Sequence, residues 1–278
     1  HHVFLSSANS INIGRLIPQV VYYFYAYMTL VNEKKIRLNE AVNFTIPSGN
    51  FGNCLAGVIA KKMGLPIQKF IVASNKNNIL TDFFRTGKYD ARREFYKTNA
   101  PAMDILVSSN LERLVYMVCE DSQKVNSYME QLNQNGVYEI SSDLLEKMQC
   151  LFKAGWLDEQ GVLNTIQTCF EETGYLLDTH TAIGYGVYKE YQKAFRDQTK
   201  TIILATASPY KFADSVYHAL TNQDLSEYEA IEAVYQKTGV EIPKPLVALD
   251  QREVLHQKVI DKSQIIREIS QKIKEISL

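Results

Sequence analysis

The 278-residue chain has little of what would set it apart from ordinary globular proteins. Its four cysteines, Cys54, Cys119, Cys150 and Cys169, form no CxxC pair. That excludes a zinc ribbon or a small disulfide framework and reads as reduced thiols in a cytosolic protein. Seven prolines and thirteen glycines are too few for a collagenous or low-complexity chain. Neither sign of charge dominates: 30 basic residues face 31 acidic ones. Nothing electrostatic therefore argues for nucleic acid or an anionic membrane as partner. The longest apolar run, residues 20–31, falls short of the roughly 20 residues that cross a bilayer. It follows an Asn-rich start rather than a basic one, which argues against a signal peptide. His1 and His2 read as the end of an affinity tag.

What is present is a chain long enough for a large core. About 300 residues bury roughly 75% of their unfolded surface, so no covalent or metal staple is needed. Helical spacing is expected over 13–33, with Pro18 in its first turn or at a kink. Tyr22, Tyr23, Tyr25 and Tyr27 surround that helix, which predicts burial on several sides and hydroxyl partners. A strand over 41–46, a helix over 54–63 stopped by Gly64, and a strand over 69–73 make a unit of βαβ size. Right-handed parallel pairing is expected for it. A short helix is expected over 78–87, and residues 111–191 read mainly helical, with segments at 121–134, 142–153 and 181–192. A further strand over 201–205 precedes helices over 211–220 and 225–238. Pro243 and Pro245 mark a loop, and an amphipathic helix over 263–276 closes the chain. The class is α/β, a partial parallel sheet flanked by many helices.

The loop Ser48-Gly-Asn-Phe-Gly-Asn53 sits between a strand and a helix. Its glycines let main-chain N–H groups converge where the helix dipole is positive, which suits a phosphate held without Lys or Arg. No GxxxxGK[ST] pattern is present, which excludes a nucleoside-triphosphate P-loop, and GxGxxG is absent too. By physics alone the segment is either an ordinary turn of an α/β unit or a phosphate cradle.

Five ordered stretches carry a resemblance. They are Ser7-Ala-Asn-Ser-Ile-Asn-Ile-Gly-Arg-Leu-Ile-Pro-Gln19, Pro47-Ser-Gly-Asn-Phe-Gly-Asn53, Ala73-Ser-Asn-Lys-Asn-Asn-Ile-Leu-Thr-Asp-Phe-Phe-Arg-Thr-Gly87, Asp178-Thr-His-Thr-Ala-Ile-Gly184 and Thr206-Ala-Ser-Pro-Tyr-Lys-Phe212. In order and spacing the chain resembles threonine synthase, a pyridoxal 5'-phosphate (PLP) enzyme of the tryptophan-synthase-β, or fold type II, architecture. The resemblance implies conversion of O-phospho-L-homoserine and water to L-threonine and phosphate. It implies that Gly49, Asn50, Phe51, Gly52 and Asn53 bind the cofactor and that the Thr206 hydroxyl meets its pyridine nitrogen. Ser10, Asn12, Arg15, Asn75, Lys76 and Lys211 are the substrate-binding candidates, with Thr81 in the same loop. Arg15 leads, because a guanidinium grips phosphate or carboxylate bidentately. His180 is expected to be a satisfied helix-start histidine near the cofactor rather than a base.

The family's Schiff-base lysine lies upstream of the first motif, in a segment this sequence does not contain. The expectation is therefore a C-terminal portion with no catalytic residue of its own, inactive alone, and prone to self-association through the surface left open. Residues 1–240 are read as the PLP-binding domain and 241–278 as a helical extension. The competing readings are a noncatalytic relative that binds a phosphorylated small molecule or a protein, and a related PLP lyase. The 73–87 motif argues against the last. No metal, nucleic acid or membrane partner is expected, and the location expected is cytoplasmic.

Overall fold

The computed structural model describes residues 9–255 and 257–276. His1, His2 and the first two residues of the Ser7 motif lie outside them. The chain opens with a short helix α1 (Ile13–Leu16), a 3-10 turn at Ile17–Gln19, and α2 (Val20–Asn32). Pro18 lacks an amide hydrogen, and the expected single helix is broken there. Then come β1 (Val42–Pro47), α3 (Gly52–Lys62), β2 (Ile67–Ser74), α4 (Ile79–Thr86) and β3 (Lys88–Asp90). The middle of the chain holds α5 (Leu111–Cys119), α6 (Ser122–Asn135), β4 (Val137–Glu139), α7 (Ser142–Leu151) and β5 (Phe152–Trp156). After it follow α8 (Glu159–Thr173), α9 (Thr179–Phe195), β6 (Thr201–Ile203), α10 (Ala213–Thr221), α11 (Glu227–Thr238) and α12 (Ile265–Ile276).

Four strands form one parallel sheet in the order β5-β2-β1-β6. Alternation along each strand sends neighbouring side chains to opposite faces. Phe44, Ile46, Phe70, Val72 and Phe152 enter a core shared with α2, α3, α4, α5 and α7. Ile71 and Ala73 enter a second core with α8, α9, α10 and α11. Both faces are covered, as a parallel sheet requires. β3 and β4 make a separate antiparallel pair, with Tyr89 stacked on Tyr138 at 5.3 Å between ring centroids.

Two expectations are corrected. Tyr23 and Tyr27 are buried, but Tyr22 and Tyr25 are 64% and 73% exposed, so α2 buries one face only. The helix expected over 142–153 stops at Leu151, and Phe152 turns straight into β5 without an intervening loop. Among the described residues no helix is long and apolar enough to cross a membrane.

Strand order fixes where a ligand can sit. The chain moves from β1 to β2 to β5 in one direction, then returns to place β6 on the other side of β1. The direction of winding reverses between β1 and β6. In open parallel sheets a crevice forms at such a switch point, beyond the carboxyl ends of the strands.

Candidate functional site

The loop after β1 enters that crevice. Ser48 N–H donates to Ala73 O at 2.9 Å, one last ladder bond. The backbone then turns, and Phe51 takes the left-handed conformation at φ 62°. Its ring is buried in the core beside Phe84 and Phe152, so only its backbone faces the crevice. α3 starts at Gly52 without a side-chain cap, and its first helical bond runs from Leu55 N–H to Phe51 O. The main-chain N–H groups of residues 49–54 have no acceptor among the described residues.

Those donors stay unpaired because the loop's carbonyls are held from behind. Ser108 Oγ donates to Gly49 O at 2.8 Å. Asn110 gives Asn50 O both its main-chain N–H, at 3.2 Å, and its Nδ2, at 2.9 Å. Tyr89 hydroxyl accepts from Ser108 N–H at 2.8 Å, which steadies that support. Burial pushes the Tyr89 phenol up to about 12, so it stays protonated. Tyr23 hydroxyl bonds to Asn53 O and Oδ1 at 2.8 and 2.9 Å. With the carbonyls turned back, an uncapped helix start beside a left-handed residue leaves these N–H groups available to an anion.

Thr206 flanks the same crevice. Thr45 pairs with Ile203, and Leu204 N–H donates to Thr45 O at 3.0 Å. The chain leaves β1 and β6 from neighbouring strand ends, which lie about 4.8 Å apart in such sheets. Thr206 is exposed there, and its N–H donates to Thr181 Oγ1 at 3.4 Å. The helix carrying Thr181 is seated by Gly184, where a Cβ would stand 3.1 Å from Pro47 Cγ.

Asp178 caps α9 through Oδ1, accepting from His180 N–H at 2.8 Å and Thr181 N–H at 3.3 Å. Burial would raise its carboxyl, but hydrogen bonds from His180 and Thr181 outweigh burial and hold it below the usual range. His180 is buried, against the Phe212 ring. Its Nε2 accepts from Ala102 N–H at 3.2 Å, so Nδ1 carries the proton and faces Asp178 at 3.2 Å. The expectation of a satisfied helix-start histidine is what the geometry gives.

The substrate candidates divide. Ser10 lies against the cradle's support: its O accepts from Asn110 Nδ2 at 3.1 Å and its Oγ meets Ser109 Oγ at 3.1 Å. Asn12 caps α1 by accepting from Gly14 N–H, and Arg15 is exposed on that same turn. Asn75 is buried and engaged by protein: Nδ2 donates to Thr98 Oγ1 and Asp104 Oδ1, and Oδ1 accepts from Asn77 N–H. Thr81 is buried and donates to Gly155 O at 2.8 Å. Lys76 is exposed over the Tyr96 ring at 4.0 Å, and Lys211 is exposed over Phe212 at 5.7 Å. Sequence reading missed Asp104, Ser108 and Asn110. They are ordinary loop residues; only the fold brings Ser108 and Asn110 to the cradle and has Asp104 bond Asn75, Asn77 and Thr98 in the turn beside it.

A parallel α/β sheet whose switch point meets an uncapped helix start defines a class of protein that offers main-chain donors to an anion. A family model described as threonine synthase, C-terminal, matches residues 181–269. Threonine synthase-like 1 of Homo sapiens is 44% identical over 226 residues, which are 80% of this chain and 30% of that protein. Threonine synthase of Saccharomyces cerevisiae is 36% identical over 232 residues, 78% of this chain and 45% of that protein. The crystal structure of PLP-bound threonine synthase from Brucella melitensis superposes with a TM-score of 0.81 at 36% identity, covering 95% of this chain and 52% of that one. The chain is thus similar, over most of its length, to the C-terminal portion of threonine synthases, and its sheet and helices are those of fold type II PLP enzymes. It spans about a third to a half of the length of these relatives.

Proposed function

We propose that the crevice between β1 and β6 binds pyridoxal 5'-phosphate as part of a threonine synthase. The reaction would convert O-phospho-L-homoserine and water to L-threonine and phosphate. One observation carries the reading: six consecutive main-chain N–H groups, residues 49–54, have no acceptor among the described residues, at an uncapped helix start. The donor set fits a phosphate, being neutral, consecutive and at the positive end of a helix dipole. Thr206, exposed across the crevice, would hold the ring nitrogen through a neutral hydroxyl. When bound, the cofactor supplies an electron sink for a substrate carbanion.

The chain's own residues bind and orient. Ser108 and Asn110 keep the cradle's carbonyls turned away from the anion. Arg15, with Ser10 and Asn12 beside it, would grip a substrate anion from the α1 side, and Lys76 and Lys211 would approach from the loops after β2 and β6. Asn75, its hydrogen-bonding positions filled by protein, would shape the loop rather than reach the substrate. Lys76 and Lys211 each lie over an aromatic ring, and the resemblance assigns neither to covalent attachment of the cofactor. These 278 residues alone are therefore expected to bind without turnover. The exposed stripe Ile13, Ile17, Val21 and Tyr25, spaced four apart, favours self-association. Residues 241–278 are taken as a helical extension, and a cytoplasmic location belongs to the same reading.

Titration calorimetry tests the site. PLP should bind one to one, inorganic phosphate should compete, and pyridoxal without its phosphate should bind far more weakly. Equal affinity for pyridoxal and PLP would overturn the cradle. A second reading is a noncatalytic phospholigand binder; the chain is 44% identical to a protein named threonine synthase-like 1 and 36% to the yeast threonine synthase. Phosphate release from O-phospho-L-homoserine, measured on this chain and on any longer polypeptide that carries it, decides between the two.

A further inference from the structure

We infer that Asp178 is a positioning residue that couples the two ends of the crevice, an inference that rests on the PLP reading above. Its side chain touches neither the cradle nor Thr206 among its hydrogen-bond partners. It acts through two neighbours on α9. One oxygen, Oδ2, accepts from the Thr181 hydroxyl. That leaves the lone pairs of Thr181 Oγ1 for Thr206 N–H, 3.4 Å away. The other oxygen, Oδ1, meets His180 Nδ1 at 3.2 Å. That leaves Nε2 to accept from Ala102 N–H at 3.2 Å. Ala102 in turn lies against the cradle: a Cβ on Gly49 would stand 3.1 Å from Ala102 O.

Capping α9 does not require a carboxylate. Ser, Thr or Asn would serve the two N–H groups that Oδ1 takes. What a carboxylate adds is that it only accepts. Both neighbours must donate to it, and both then present acceptors outward, one to the β6 loop and one to the 100–105 turn. An amide cannot do this. With Nδ2 toward Thr181, the amide occupies a lone pair of the hydroxyl and frees its proton to oppose Thr206 N–H. With Nδ2 toward His180, the ring must shift its proton to Nε2, which then opposes Ala102 N–H, and Nδ2 also opposes the two N–H groups that Oδ1 caps. The first orientation keeps the cap and breaks one arm; the second breaks the other arm and the cap with it, so Asp178→Asn settles in the first. Asp178 is 2% exposed, so water does not compete for these bonds.

Two measurements on the full chain test this. Long-range proton–nitrogen NMR of the ligand-free protein should show His180 protonated at Nδ1. A ring protonated at Nε2 would overturn the inference whether or not PLP binds. Calorimetry with PLP and with inorganic phosphate then compares variants. Asp178→Asn should weaken PLP by about tenfold or more, the loss of one charge-assisted hydrogen bond. Thr181→Val should weaken PLP and leave inorganic phosphate unchanged, and Thr181→Ser should restore wild-type PLP affinity. In the Asp178→Asn background the Thr181→Val effect should shrink, the signature of a shared path. Wild-type PLP affinity in Asp178→Asn, or no recovery in Thr181→Ser, would overturn the coupling. Failure of the wild-type protein to bind PLP or phosphate would instead remove the functional reading, with the NMR result still deciding the geometry.

Discussion

Replacing each glycine of the cradle by alanine separates steric fit from backbone freedom. Neither Gly49 nor Gly52 has positive φ, so an L residue suits both backbones. Their surroundings differ. A Cβ on Gly49 would meet two backbone atoms, Ala102 O and Met103 Cα, each at 3.1 Å. A Cβ on Gly52 meets nothing nearer than Asn110 Nδ2 at 3.5 Å, an ordinary contact. Gly49→Ala must push the 100–105 turn outward, and that turn is braced. Asp104 accepts from Asn75, Asn77 and Thr98, and Ala102 N–H is fixed on His180. Overpacking against a braced neighbour costs about 1–3 kcal/mol. For a chain of this size each kcal/mol lowers the melting temperature by roughly 2–4 °C. Gly52→Ala opens α3 with a better helix former and should be neutral or stabilise by up to about 1 kcal/mol. Thermal melts and urea midpoints of the two variants, measured side by side, are the assay. Equal destabilisation of both, or a Gly49→Ala protein that melts with the wild type, would refute the steric account.

Tyr23→Phe keeps the ring against Phe44 at 4.7 Å but removes the hydroxyl that bonds Asn53, and should lower stability by about 1 kcal/mol in a urea titration. Phe152→Ala empties the stack on Phe70 and Phe84, at 5.4 and 4.9 Å, and should cost about 3–5 kcal/mol by the same measure. Burial alone would raise the Asp197 carboxyl, but hydrogen bonds from Thr199, Tyr191 and Asn43 prevail and pull it from 3.8 down to about 2. A depressed carboxyl stabilises the fold above its unfolded value, and that share is lost as pH falls from 3.8 through about 2. Asp197→Asn should therefore flatten the acid limb of a stability-against-pH curve in that window; an unchanged limb would count against the Asn43–Asp197–Tyr191 cluster.

How much could be read before folding depended on the range of each signal. β1, α3 and β2 were legible because a strand, a glycine turn, a helix with Gly64 at its end and a second strand follow within 33 residues, each marked by its own neighbours. β5 was not. Residues 152–156 continue from α7 without a turn residue, and a short apolar run after a helix carries no local mark of strand. Tyr22 and Tyr25 show the same limit: aromatic content alone did not tell which face of α2 meets the core. At the site, the glycine loop and Thr206 stood out through motifs. Ser108, Asn110 and Asp104 did not, since nothing local separates a serine that holds a distant carbonyl from one that meets water.

The sequence by itself determined the strand–turn–helix unit at 42–62, the Gly64 stop that follows it, and the charge-balanced character of the chain. These rest on interactions between residues a few positions apart, where spacing and side-chain chemistry are enough. Only the tertiary structure decided that β6 returns beside β1, that residues 108–110 turn the cradle's carbonyls away, and that Asp178 sits behind both ends of the crevice. Those contacts join residues tens to more than a hundred positions apart, and which of them meet depends on how the two cores close over the sheet, a sum over the whole chain that no short segment contains.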